Sequence, residues 1–372
     1  MKVHVLVSVV ILVLGSCFSP AHAHHSTVAT FTDERTSTIE GVVTDFRFRN
    51  PHVLIYIDVT NEDGTVTNWM VEGRAATGFR RANWKSDSLK KGDMMRISGD
   101  ATIDGSPMIW LKSMEMLDKE TKAVIAKLEP NKDPLVSLGG QTASSEAKTE
   151  TASEIKFLPS RLISGNPNFT GTTRLAPKLR PWKGGPDWND NPVLYNEAGK
   201  EALANWDIKN DPQVFCDPPG LVRQTGYTPY GLIIKQYHDL VTIEYEEYGG
   251  KRAIFFDDEL PSSGVRSHLG DSVARYEGDT LVIETVNLLP NASGHRGNPF
   301  SAKATVKEVY SRSNNPDFGT VLKIVTTVTD PEYLAEPWTV IRETVYDETY
   351  KFLENECVPP KRPRPANVWR EE

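Results

Sequence analysis

Between residues 267 and 287, two runs rich in β-branched and aromatic residues flank Glu277-Gly278-Asp279, residues that tolerate the positive φ of a tight turn. The stretch reads as a β-hairpin. With Gly278-Asp279 as the loop, Ala274, Tyr276, Leu281 and Ile283 fall on one apolar face. Arg275, Glu277, Thr280, Val282 and Glu284 fall on the other, with Arg275 diagonal to Glu284 and near enough to pair. Two strands do not persist alone in water, so the surrounding chain has to close around them. Further strands are expected at 232–237, 240–245, 252–256, 304–311, 320–327, 339–346 and 351–354, with turns at His238-Asp239, Gly249-Gly250 and Asp347-Glu348. Many sequential antiparallel strands favour a calycin-like meandering barrel over a sandwich.

A second β pattern occupies residues 36–117. Strands are expected at 38–48, 52–59, 65–71, 94–99 and 108–117, and Ala75, Ala76, Phe79 and Ala82 lie at helical spacing between the third and the fourth. Three strands, a helix and two strands is the order of a small OB-like barrel. The fold expected is therefore mostly β: a five-stranded OB-like barrel over 24–125 and a larger antiparallel barrel over 158–360. A flexible linker, 126–157, joins them, and 361–372 form a tail. The linker has no aromatic residue before Phe157 and no periodicity, and it is rich in Ser, Thr, Ala and Glu. The stretch 158–220 is rich in Pro, Gly, Asn and Trp, with one helix candidate at 196–206. It reads as an irregular wrap that lays Trp182 and Trp188 against the barrel.

Residues 1–23 read as a secretory leader: Lys2, an apolar run from Val5 to Leu14, and Ala21-His22-Ala23 as the cleavage signal. Leu14-Gly15-Ser16-Cys17 also resembles a lipoprotein box, which would leave Cys17 lipidated and the protein tied to a membrane. Both readings put the chain outside the cytoplasm, with the periplasm expected. There Cys216 and Cys357, the only cysteines after Cys17, are expected to pair. The bridge would close a loop of about 140 residues and contribute on the order of 5 kcal/mol. Two buried free thiols are the alternative. A formal charge of −8 and a pI near 5.6 argue against nucleic acid as a partner.

Several short motifs resemble those of a bacterial exported family named only as a domain of unknown function. In the first half these are Ala23-His24-His25-Ser26, Gly41-Val42-Val43-Thr44-Asp45-Phe46, Asn50-Pro51-His52, the Gly64 turn, Trp69 and Lys91-Gly92-Asp93. In the second they are Asn168-Phe169-Thr170-Gly171, Cys216-Asp217-Pro218-Pro219-Gly220, the 270–285 stretch, Gly294-His295 and Glu336-Pro337-Trp338-Thr339-Val340. The resemblance implies export and a two-module layout, and it carries no reaction. The chain departs from the pattern after Gly294-His295, where Arg296-Gly297-Asn298 replaces a second histidine or a similar polar group.

Four constellations could carry chemistry. Cleavage after Ala23 would leave an α-amine beside His24 and His25, groups that release protons to copper or zinc near neutral pH, with His52 as a further ligand. The alternative is a solvated His-His pair and a His52 that only hydrogen-bonds the backbone. Around the hairpin, His268 or His295 beside Asp271 or Glu284 would make a general base, with Arg275 and Tyr276 to hold a ligand. Against it stands an Arg275–Glu284 rim pair, Asp271 capping a turn and His295 in a loop. The Arg74, Arg80, Arg81, Lys85, Lys90 and Lys91 set reads as a solvated face or a contact for the partner domain. The aromatic residues of the second half either fill the large barrel or line a pocket for one small molecule. The functions expected are an exported two-domain binding protein holding copper or zinc and a small ligand, an envelope hydrolase or isomerase, or a structural docking module.

Overall fold

The computed structural model describes residues 30–81, 84–128, 136–137, 157–175, 182–183, 191–207, 211–226, 228, 230–260, 265–290 and 298–357. The first half folds as β1 (Phe31–Arg47), β2 (Leu54–Thr60), β3 (Val66–Glu72), helix α1 (Ala76–Arg81), β4 (Met94–Thr102), β5 (Met108–Leu117), β6 (Val124–Leu128) and the short β7 (Val136–Ser137). β1 pairs with β2 through its second half and with β4 along its length. β3 reaches across to β5 in parallel, at Met70–Met108, Val71–Ile109 and Glu72–Trp110. The ring β1-β2-β3-β5-β4 therefore closes on itself in the OB-like order the sequence predicts.

Period-two alternation sends Val43, Ile55, Ile57, Val71, Met95, Ile97, Ile109 and Met114 into that barrel, all essentially without exposure. At Gly99 the β4–β5 register slips by a residue and the two backbones draw close. A Cβ there would sit 1.9 Å from the Trp110 carbonyl oxygen, so only glycine fits. β1 starts at Phe31, earlier than expected, because Thr32–Thr38 is polar on a stretch exposed to water and shows no apolar face. β6 runs past residue 126, the expected start of the linker.

The second half contributes β8 (Gly171–Arg174), β9 (Trp182–Lys183), α2 (Glu197–Ala204), a 3-10 turn (Pro212–Phe215), α3 (Leu221–Gly226), β10 (Leu232–Gln236), β11 (Leu240–Tyr245) and β12 (Lys251–Phe256). β13 (Asp271–Glu277), β14 (Thr280–Val286), β15 (Thr305–Asn315), β16 (Gly319–Thr329) and β17 (Trp338–Tyr346) complete it. The order β8-β10-β11-β12-β13-β14-β15-β16-β17 closes back onto β8, a nine-stranded barrel, with β9 pairing on β17. The expected hairpin has the expected register, with Ala274 opposite Ile283 and Tyr276 opposite Leu281. Neighbours are antiparallel except β12 and β13, which run parallel over two residue pairs because the excursion from 257 to 270 returns the chain to the end where β12 began. The meander also needs β8, a four-residue strand not visible in the sequence, to fill the gap between β10 and β17. Residues 351–354, expected as a strand, form none; they belong to an extended strap.

Both ends of the large barrel are covered. All six residues of α3 are buried at one end, where a Cβ on Gly226 would lie 2.6 Å from Val340. Arg342 reaches from β17 to the carbonyls of Gln224 (3.1 Å) and Tyr230, capping the C-terminal end of that helix. The opposite end is covered by residues 157–170. Gln236 accepts from the Phe169 amide (2.6 Å) and donates to the Tyr276 hydroxyl (2.9 Å) and the Pro167 carbonyl (2.9 Å).

Between the ends lies a desolvated polar network. Arg252 pairs with Glu308 at 2.7 Å and also donates to the Tyr245 hydroxyl, Ser272 and Thr285, while Tyr310 donates to the other Glu308 oxygen. Burial opposes the charge on Arg252, but Glu308 and the two tyrosines outweigh it and raise the guanidinium pKa. Burial pushes the Tyr245 hydroxyl up to about 12. A buried pair costs most when only one partner is removed. Glu308→Leu should therefore lower stability by about 3–5 kcal/mol in urea unfolding, and the double variant Arg252→Met with Glu308→Leu should recover much of that loss.

Candidate functional site

The loop between β1 and β2, which holds Asn50-Pro51-His52, is where the chemistry of the small barrel and the contact between the barrels meet. Asn50 is fully buried. Its Nδ2 donates to Glu246 Oε1 of the large barrel at 3.1 Å, and its amide donates to the Glu354 carbonyl at 2.9 Å. Its own carbonyl accepts from the Glu356 amide at 2.5 Å, and the Pro51 carbonyl accepts from the Tyr230 hydroxyl at 3.1 Å. Glu246 is the hub. Its carboxylate also accepts from the amides of Gly231 (2.9 Å) and Leu353 (3.1 Å) and from the Tyr350 hydroxyl (2.6 Å), with Arg80 at 4.0 Å.

A strap, residues 350–357, lies between the two barrels. Leu353 packs on the small-barrel core, and Glu356 takes ion pairs from Arg47 and from Arg49 (2.7 Å). The Lys351 carbonyl accepts from Arg80 (3.3 Å), whose guanidinium sits over the Tyr350 ring. Of the basic set on and around α1, Arg80 is thus a contact for the partner domain. The strap ends in the expected Cys216–Cys357 disulfide, with Cα atoms 5.5 Å apart and a sequence separation of 141. Cys216 caps the 3-10 turn, and Gln213 in that turn donates to Glu247, the neighbour of the hub, at 2.7 Å. Burial holds the Glu247 carboxyl above the usual carboxylate range.

His52, the next residue along the loop, turns to Glu72 and Trp110. Its Nδ1 shares a hydrogen bond with the Glu72 carboxylate, and its ring stands edge-on to Trp110 at 5.2 Å. Trp110 also meets Phe31, at 6.0 Å. The first residues of β1 are therefore close to His52, joined through a single tryptophan. Both the histidine and the glutamate are partly exposed, at 24% and 18%. With Nδ1 held by a carboxylate, Nε2 is the nitrogen available to a metal, the carboxylate–histidine arrangement of many metal sites. Among the described residues, no three His, Cys, Asp or Glu side chains gather as a metal site would need. His24 and His25 lie outside the described residues.

Around the hairpin, Arg275 meets Glu284 at 2.5 Å, the diagonal pair the register predicts, and also binds Glu277. Asp271 accepts from the Asn287 side chain at 2.9 Å. The backbone carbonyl of His268 accepts from the amide of Leu221, the first residue of α3. Tyr276 stacks on Phe256 at 4.9 Å and is engaged by Gln236. His295 lies outside the described residues, so that half of the proposed acid–base pair has no position. The sequence reading missed the interior charges. Glu308 stands between Val306 and Tyr310 on one strand face, and Arg342 between Val340 and Thr344. A charge on an otherwise buried face was the signal available.

Residues 12–108 match a family of unknown function, DUF6152. The similarity takes in Asn50, His52 and Glu72 but stops at Met108, the first residue of β5, before Trp110 and the whole large barrel. No curated protein matches the chain.

The two clusters should respond differently to truncation. Asn50→Ala leaves buried Glu246 short of a donor and should cost about 1–3 kcal/mol. Glu284→Ala removes a partly exposed pair and should cost at most about 1 kcal/mol, both read from urea midpoints.

Proposed function

We propose that the protein is an exported, two-domain, metal-binding protein of the periplasm. In this reading the first barrel holds copper or zinc with His24, His25 and the chain's α-amine after leader removal, together with His52. The second barrel is the rigid body on which the first is mounted. The observation that supports it is the His52–Glu72 pair beside Trp110 and Phe31. Glu72 orients the imidazole, and the strand that His24 and His25 lead into starts against the same tryptophan. His25 precedes Phe31 by six residues, a reach of up to about 20 Å in extended chain, ample to bring an imidazole to His52 Nε2. An amine and three imidazoles form a nitrogen-rich set that suits copper best.

A small ligand inside the large barrel has less support. The interior carries the Arg252–Glu308–Tyr310 network, and both ends are covered by chain. A lipidated Cys17 would remove the free amine and leave only imidazoles, weakening the site.

Protein beginning at His24 should bind one copper ion in calorimetric titration. His52→Ala or a His24→Ala, His25→Ala double variant should abolish tight binding, and Glu72→Gln should weaken it about 10–100-fold. Equal uptake by the wild type and the double variant would refute the reading.

A further inference from the structure

We propose that Cys216–Cys357 is a redox-operated latch between the two barrels, an inference independent of the metal reading. The argument rests on where the bond sits. β17 ends at Tyr346, and over the described residues that follow, 347–357, the chain leaves the large barrel without forming another strand. From Tyr350 to Glu356 it is held by hydrogen bonds and ion pairs divided between the barrels: Tyr350, Leu353 and Asn355 to Glu246, and Lys351, Glu354 and Glu356 to Arg80, Asn50, Arg47 and Arg49. Lys351, Glu354 and Asn355 are exposed. A segment with one β-bridge among the described residues, Asn50–Asn355, and three exposed side chains belongs among the parts of a fold that open first once its end is freed. The disulfide fastens its far end to the 3-10 turn of the large barrel. A bond that served only to close the chain could lie anywhere along the barrel wall. This one lies at the end of the segment through which Asn50 is held.

Both cysteines are half-buried rather than enclosed. A dithiol reductant supplies what the step needs. Its thiolate attacks one sulfur, the S–S bond breaks to leave a mixed disulfide, and its second thiol displaces the bound cysteine. Two electrons and two protons pass to Cys216 and Cys357, and the reductant leaves as its own disulfide. The strap then loses its anchor, and the amides of Asn50, Leu353 and Glu356, which it holds in hydrogen bonds, become free to exchange.

The test is hydrogen exchange on the folded full chain, oxidised and after treatment with dithiothreitol, with the thiol content checked by mass. The latch predicts that exchange at Asn50, Leu353 and Glu356 rises about tenfold or more on reduction, while amides of β11 and β16 keep their protection. A Cys216→Ser, Cys357→Ser variant should match the reduced protein without reductant. Reducing the folded wild type keeps the test valid should that variant not fold. Unchanged exchange at the three amides overturns the latch. So does a uniform rise across both barrels, which would make the bond a general stabiliser, and so does a bond that the dithiol cannot open in the folded protein.

Discussion

Glu246 is a carboxylate with no exposed side-chain surface, and such a group is tolerated only where donors surround it. Its donors come from three places: Asn50 of the small barrel, Gly231 of the large barrel, and Tyr350 and Leu353 of the strap. While the strap is anchored, the loss of any of these leaves Glu246 a donor short. The single side chain therefore sets the position of the β1–β2 loop, the course of the C-terminal strap and the approach of the two barrels. The ion pairs of Arg47 and Arg49 with Glu356 surround this contact, but they are partly exposed and weaker.

That arrangement shapes what the small barrel has left to offer. OB-like barrels commonly bind their ligands with the loop between strands one and two and the loop between strands four and five. Here the first part of the former loop, Asn50-Pro51, is taken by the large barrel, while His52 turns to Glu72 and Trp110. One short loop thus serves both as an interface and as a candidate ligand site. The large barrel, covered at both ends and crossed by the Arg252–Glu308 network, has the character of a rigid support.

Much of this was readable from residue pattern. Alternation around Gly278 gave the hairpin its register down to the Arg275–Glu284 diagonal, because with a two-residue loop a period of two puts Tyr276 and Leu281 together on the core face. The small barrel followed from the order of its elements, and the disulfide from cysteine count and the compartment expected. What escaped has physical reasons. The start of β1 is polar because it pairs at an exposed edge, and β8 is too short to show a period. Asn50-Pro51 reads locally as a turn, and its value lies in partners hundreds of residues away. Arg252, Glu308 and Arg342 carry charge where only burial gives them meaning. The sequence shows His52 as a candidate ligand without its partner, since Glu72 sits at the end of β3 and nothing in the spacing ties the two.

The claim that the barrels form one body through Glu246 is tested most directly by differential scanning calorimetry of the oxidised full chain. A shared body predicts a single unfolding transition for the wild type, and for Glu246→Ala a splitting into two transitions, with the small barrel melting first. Two separate transitions in the wild type, left unchanged by Glu246→Ala, would contradict it.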